Sequence, residues 1–230
     1  MTNKEKVKLF TQTIKQLGKH KNWQFKNPST FKQRGKFFYE TVFSINPKEN
    51  RIRGWLAFKP ISIDDTFWEI TNMSENKKMP FSFRGNAAFK VSSLSIYEFD
   101  IILKDIENPI NEINSLLETL DKKVAVSETK ISTIEQFLAL LEESGKQNTV
   151  GIITCLIELN EFEKAREKIS FYSERNMNSG IMCINKNIPG SKDFYDLAVE
   201  YCNRKLDIRD TFFSKLKMLL VKYFKTQKDQ

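Results

Sequence analysis

A single change of hydrophobic period limits how this chain can fold. From Gly35 to about Ile102 apolar residues recur at every second position, with aromatic and β-branched enrichment, and after Pro109 they recur at three- and four-residue spacing. Period two marks a half-buried strand and period 3.6 an amphipathic helix, so one switch predicts an antiparallel sheet followed by helices. A parallel sheet needs strands and helices to alternate, and these residues do not alternate. The expected fold class is α+β: an N-terminal helix plus an antiparallel β-meander of four or five strands, followed by an α-helical C-terminal half.

The first helix rests on Val7, Phe10, Ile14 and Leu17, with Gly18 at the expected stop. Residues His20 to Thr30 read as a loop anchored by Trp23 and Phe25. Lys36 to Ile45 and Arg51 to Lys59 flank the turn Asn46 to Asn50 and read as a hairpin. Phe67 to Thr71, Phe81 to Phe83 and Ala87 to Ile96 are further candidate strands, and Asp64 with Asp65 reads as a turn. Asn108 before Pro109 predicts a helix start, with Ile110, Ile113, Leu117 and Leu120 as the buried stripe. Ser132 and Glu135 have capping-box spacing ahead of a helix that ends at Gly145. Asn148 caps the next helix, Val150 to Leu159, whose antiparallel partner is Glu161 to Tyr172. Asn160, Phe162 and Ala165 stand where a tetratricopeptide turn has comparable residues, but one copy cannot bury a solenoid core, so an ordinary helical hairpin is expected. Residues 178 to 190 read as a loop, Ser191 as the cap of a helix to Tyr201, and a last helix runs from about Ile208 to Phe224. The division expected is residues 1–104 as a helix plus antiparallel sheet subdomain and residues 105–230 as a helical subdomain, packed as one unit.

The usual chemistry is missing from the residues. The one histidine, His20, lies between lysines, and Cys155, Cys183 and Cys202 are too far apart in sequence for a paired-ligand motif, so neither metal nor cofactor is expected. Neither GxxxxGK[ST] nor GxGxxG occurs, which removes the common phosphate-cradling loops. A serine or cysteine nucleophile would have a single histidine to draw on and no nucleophile elbow. A magnesium nuclease built from Asp64 or Asp65 with Glu128 and Lys130 is the remaining enzymatic reading, and a non-enzymatic chain is expected ahead of it. The charged start, MTNKEKVKLF, has no secretory pattern, and the odd, dispersed cysteines fit reduced thiols, so a cytoplasmic home is expected. The apolar run Val150 to Leu159 is too short for a membrane span.

Charge is divided along the chain. Residues 1–60 carry 14 Lys and Arg against 3 acids, residues 61–200 carry 15 against 23, and residues 201–230 carry 8 against 3. A bipolar distribution implies internal complementarity or two recognition faces. The first candidate surface is acidic: Asp105, Glu107, Glu112, Glu118, Asp121, Glu135, Glu142 and Glu143, suited to a basic protein partner. The alternative is nucleic-acid binding by Lys26, Lys32, Arg34, Lys36, Arg51 and Arg53, which interleave with Trp23, Phe31, Phe37, Phe38 and Trp55. Strand alternation competes with it, because aromatics facing the core and cations facing water give the same pattern.

The run Phe31, Arg34, Gly35 and Phe38, followed by a meander and by helices that end in Phe194 to Ala198, resembles a group of bacterial proteins, many uncharacterised, found among the immunity proteins of toxin systems. The resemblance implies a protein that binds and neutralises a toxin, and it transfers no site residues.

Overall fold

The computed structural model describes the chain except residues 27, 87–88, 145–147, 178, 180–181, 185–190 and 229–230. Helix α1 (Asn3–His20) opens on a capping box in which the Thr2 hydroxyl accepts from the Glu5 amide and the Glu5 carboxylate from the Thr2 amide. Phe10 and Ile14 are buried as expected, and Val7 is exposed. The helix runs past Gly18. The chain reverses at Asn22, whose φ of 61° is the left-handed conformation that asparagine tolerates best among residues with a side chain. A methyl at Gly18 would meet the Trp23 Cβ at 3.4 Å, an ordinary contact, so neither the turn nor the packing requires glycine there.

Five antiparallel strands follow in sequence order: β1 (Gln24–Lys26), β2 (Ser29–Arg34), β3 (Phe37–Asn46), β4 (Arg51–Pro60) and β5 (Leu94–Ile102). The expected loop His20 to Thr30 therefore contains β1 and the start of β2. The β3–β4 hairpin lies within one residue of its expected bounds, pairing Asn46 with Arg51 and Phe37 with Pro60. Phe37, Tyr39, Phe43, Ile52, Leu56 and Phe58 are buried on one face, and the opposite face is closed only at the Phe38 end.

The segment between β4 and β5 departs most from expectation. Phe67 to Thr71 is not a strand but part of helix α2 (Ile61–Ile70), with Asp64 and Asp65 inside the helix rather than in a turn. Ile63, Phe67 and Ile70 are all buried, and their spacing of four and three outweighs the strand-like composition. Phe81 and Ser82 form a turn ahead of the short helix α3 (Phe83–Asn86), so that strand is absent too. Phe81 packs edge-on against Phe38, which itself stacks on Phe31, and the connection thus covers one end of the outer sheet face. The strand expected at Ala87 to Ile96 lies later, as β5, and residues 87–88 lie outside the described residues.

The helical half contains α4 (Ile110–Lys130), α5 (Ile134–Glu143), α6 (Thr149–Glu158), α7 (Phe162–Glu174) and α8 (Phe194–Lys228). Pro109, not Asn108, occupies the N-cap position of α4, and Ile110 is exposed while Ile113, Leu117 and Leu120 are buried. The capping box of α5 is Thr133 with Gln136, one residue beyond Ser132 and Glu135. Asn148 caps α6 as expected, accepting from the Gly151 amide. Every residue of α6 from Thr149 to Ile157 is buried, which makes it the central helix of this half. Asn160, at φ 60°, makes the turn into α7, where Phe162 and Ala165 are buried.

Two expectations for the end of the chain are corrected. Residues 182–184 and 191–193 pair as strands β6 (Met182–Ile184) and β7 (Ser191–Asp193), so the region after Pro109 is not helical throughout. Gly145 and most of the 178–190 loop lie outside the described residues. The two last helices are one, α8, begun by Asp193 and not Ser191: the Asp193 carboxylate accepts from the Tyr195 amide and the Asp196 carboxylate from the Asp193 amide.

The sheet's buried face packs on helices of both halves. Tyr39 and Ser127 of α4 share a buried hydrogen bond of 2.9 Å, and the Phe58 ring meets Phe137 of α5 at 5.4 Å. Thr66 of α2 donates to Glu158 of α6, so the β4–β5 connection is also tied to the central helix. One hydrophobic core runs from Phe10 to Cys202.

Candidate functional site

Helix α4 lies alongside the buried face of the sheet, so carboxylates at its margin meet cations from β2 and the α1–β1 turn. Asp121 accepts from the Trp23 indole at 2.9 Å and from Lys32 at 2.6 Å. Glu118 pairs with Lys21 at 3.5 Å, and Glu128 with Arg34 at 3.1 Å. Glu142 of α5 pairs with Lys168 of α7 at 2.9 Å. Internal complementarity therefore absorbs part of the bipolar charge.

The other acidic candidates meet no cation within ion-pair distance among the described residues. Asp105 accepts from the amides of Glu107 and Asn108, and Glu112 from those of Lys104 and Asp105, bonds that orient the carboxylates but leave their charge in place. Glu107 and Glu143 are exposed. Glu135 stands in the first turn of α5, where its own backbone amide and then the Thr133 hydroxyl hold its carboxyl below the usual range.

The six basic candidates do not form one surface. Lys32 and Arg34 are spent on α4, while Arg51 grips Asp100 through two bonds of 2.5 Å and Arg53 reaches the same carboxylate at 3.1 Å. The register puts Arg34 at the Phe37–Pro60 end of the hairpin and Arg51 at the Asn46 end, roughly 30 Å away along a ten-residue strand. Lys26 and Lys36 have no ion pair among the described residues. Trp23, Phe31, Phe37 and Phe38 are buried, and only Trp55, 43% exposed, offers a ring to a ligand.

Asp64 and Asp65, the carboxylates of the nuclease reading, are also engaged. Lys59 points its three N–H bonds at Asp64 Oδ1 (2.9 Å), the Arg84 carbonyl (2.8 Å) and the Val91 carbonyl (2.7 Å). Asp64 Oδ2, which receives none of them, still lies 2.8 Å from the ammonium and 3.6 Å from the Arg84 guanidinium. Arg84 donates to Asp65 at 2.7 Å. Burial pushes the Lys59 ammonium down to about 8, against the pull of Asp64, and pushes the Asp64 carboxyl up. With every donor of Lys59 used, this cluster is an anchor for the β4–β5 connection. Among the described residues no three His, Cys, Asp or Glu side chains are grouped to hold a metal.

The open feature is the edge of the sheet. Among the described residues β5 pairs only with β4, and no strand of them lies along its far side. Two grooves run between this strand and the helices. One is lined by Leu94, Ile96, Val126, Ile131 and Leu140, with Lys123 and Lys130 at its rim, and the other by Tyr97, Ile101, Ile102, Ser115 and Thr119, with Glu112 at its rim. The Lys123 ammonium sits 4.9 Å above the Tyr97 ring, where the two meet. Ile102 is 62% exposed at the end nearest Asp105 and Glu107. Ending the last strand at Ile96 hides this edge from a sequence reading, although the alternation Tyr97, Phe99, Ile101 could have disclosed it. Compared with family models, curated proteins and solved structures, the chain has no match.

Proposed function

We propose that this chain is a non-enzymatic protein-interaction module, of the inhibitor or immunity kind, that takes an extended basic segment of a partner protein along β5. The observation that carries the reading is a strand at the edge of the described sheet, beside an apolar groove, with carboxylates at one end that no cation of the described residues neutralises. Strand addition supplies main-chain hydrogen bonds, the groove supplies side-chain pockets, and Asp105, Glu107 and Glu112 steer a cationic segment to the right end. Glu118, Asp121 and Glu142 are less available, being held by Lys21, Lys32 and Lys168. The nucleic-acid reading draws less support, because four of its six cations are paired internally and four of its five aromatics are buried.

The test is co-expression and pull-down with the product of the neighbouring gene, followed by titration of the captured complex with single variants. Ser115→Arg, at an exposed groove position, and Ile102→Asp should each weaken binding by roughly tenfold or more with the fold intact. Glu107→Lys should slow association and reduce its salt dependence. Binding indifferent to all three but lost on Lys26→Glu with Lys36→Glu would place the partner on the basic side and sink the reading.

A further inference from the structure

We infer that the partner's segment is a strand of alternating cationic and apolar residues, added antiparallel to β5 with its cations outward and its N-terminal end at Ile102. The inference rests on the strand-addition reading above and specifies which residues fit it. The register with β4 sorts the side chains of β5 into two rows. Tyr97, Phe99 and Ile101 stand opposite Leu56, Gly54 and Ile52 and share the buried face of the sheet. Glu98, Asp100 and Ile102 stand opposite Trp55, Arg53 and Arg51, are exposed, and share the outer face.

An added strand repeats this alternation, because successive side chains of any strand point to opposite faces. Its inward residues lie over the two grooves, whose walls include Ile96, Tyr97, Ile101, Val126 and Leu140. Those positions take apolar side chains. Its outward residues lie beside Glu98 and Asp100. Asp100 is already held by Arg51 and Arg53, whereas Glu98 meets no cation within ion-pair distance among the described residues. Lysine or arginine at the outward positions gives Glu98 the cross-strand partner it lacks.

Charge also sets the direction and decides against a second copy. Asp105, Glu107 and Glu112 stand at the Ile102 end of the edge, while Lys123 and Lys130, with Glu143 beside them, line the groove at the Leu94 end. The cations of the segment therefore belong opposite residues 98–102, and its other end carries none. Every pairing in this sheet is antiparallel, and an antiparallel strand reaches Ile102 with its N-terminal end, so the cations come first. A second β5 would bring another Glu98 and Asp100 to the same outer face, and it has no lysine or arginine to offer them.

The experiment is fluorescence anisotropy of the full chain with labelled, end-capped peptides: KVKVKVTVT, its reverse TVTVKVKVK, and the block peptide KKKVVVVTT. All share one composition and one net charge, so attraction by charge alone would bind them alike. The first is expected to bind roughly tenfold more tightly than either of the others. Glu98→Lys should weaken that binding by roughly fivefold and affect the block peptide less. Ser115→Arg should abolish it by filling the groove, while circular dichroism confirms that both variants remain folded. Equal binding of the block peptide, tighter binding of the reverse peptide, or no binding of any would each overturn the inference. So would a dimer by light scattering that Ser115→Arg dissociates, since it would put a second copy on the edge. Equal binding of all three peptides that Ser115→Arg abolishes would remove the pattern and leave strand addition standing, whereas a captured partner indifferent to Ser115→Arg would remove both.

Discussion

Lys59 and Asp64 form a fully buried ion pair, 2.9 Å from ammonium to carboxylate oxygen, which holds the β4–β5 connection to the outer face of the sheet. Removing one member leaves the other charge stranded where water cannot reach it, and it also takes the donor from the Arg84 and Val91 carbonyls. Lys59→Met should therefore cost about 3 to 5 kcal/mol in urea unfolding. A loss under about 1 kcal/mol would mean that the connection is held by its aromatic contacts alone.

The same pair gives a pH dependence with a definite sign. Lys59 titrates at about 8 in the fold against 10.5 for a lysine free in water, so between those values the unfolded chain binds more protons. Stability then rises with pH across that window, because the fold sheds a buried positive charge that the unfolded chain keeps. Asp64 works the other way at lower pH: its raised value makes a contribution that is present in acid and lost as pH rises through the folded value. The difference in unfolding free energy between the native chain and Lys59→Met should increase from about pH 8 to 10.5. A flat difference there would contradict the assignment.

Surface and internal carboxylates should separate in stability measurements. Asp121→Ala leaves the Trp23 indole and the largely buried Lys32 ammonium without their acceptor and should cost about 1 to 3 kcal/mol. Glu107→Lys touches no ion pair among the described residues and should stay within about 0.5 kcal/mol. Equal losses from the two, by thermal or denaturant unfolding, would show that α4 is not fastened through Asp121.

Strong periodicity makes much of the fold legible in the sequence. The β3–β4 hairpin, the buried stripe of α4 and the α6–α7 pair are readable because each has a regular apolar period and a recognisable break. α2 is not, since Ile, Thr, Phe and Trp carry strand-like composition while their spacing is helical, and the two signals point to different elements. The division of charge is legible, but its partners are not. Lys32 and Asp121 are 89 residues apart, and only the fold brings them together. The β5 edge escapes a sequence reading because its apolar residues continue past Ile96, where the strand is expected to end.

Gly54 links that edge to the core of the sheet. It sits on β4 opposite Phe99 of β5 and Phe43 of β3, and a methyl at its Cα would lie 2.0 Å from the Val42 carbonyl oxygen and 2.6 Å from the Phe99 ring. The first obstacle is backbone and cannot rotate away, so a strand must move. Val42 belongs to β3, so the clash is relieved only by parting β4 from β3, and β5, paired with β4, is carried along. Gly54→Ala is expected to cost about 1 to 3 kcal/mol and to speed amide exchange where β3 and β4 pair around Val42 and Gly54 more than in β1 or β2. It should also weaken partner binding, because β5 moves with β4, although Gly54 itself would not meet the partner. Uniform exchange across all five strands would instead mean that the sheet yields as one body and that the β3–β4 pairing takes no special share of the strain.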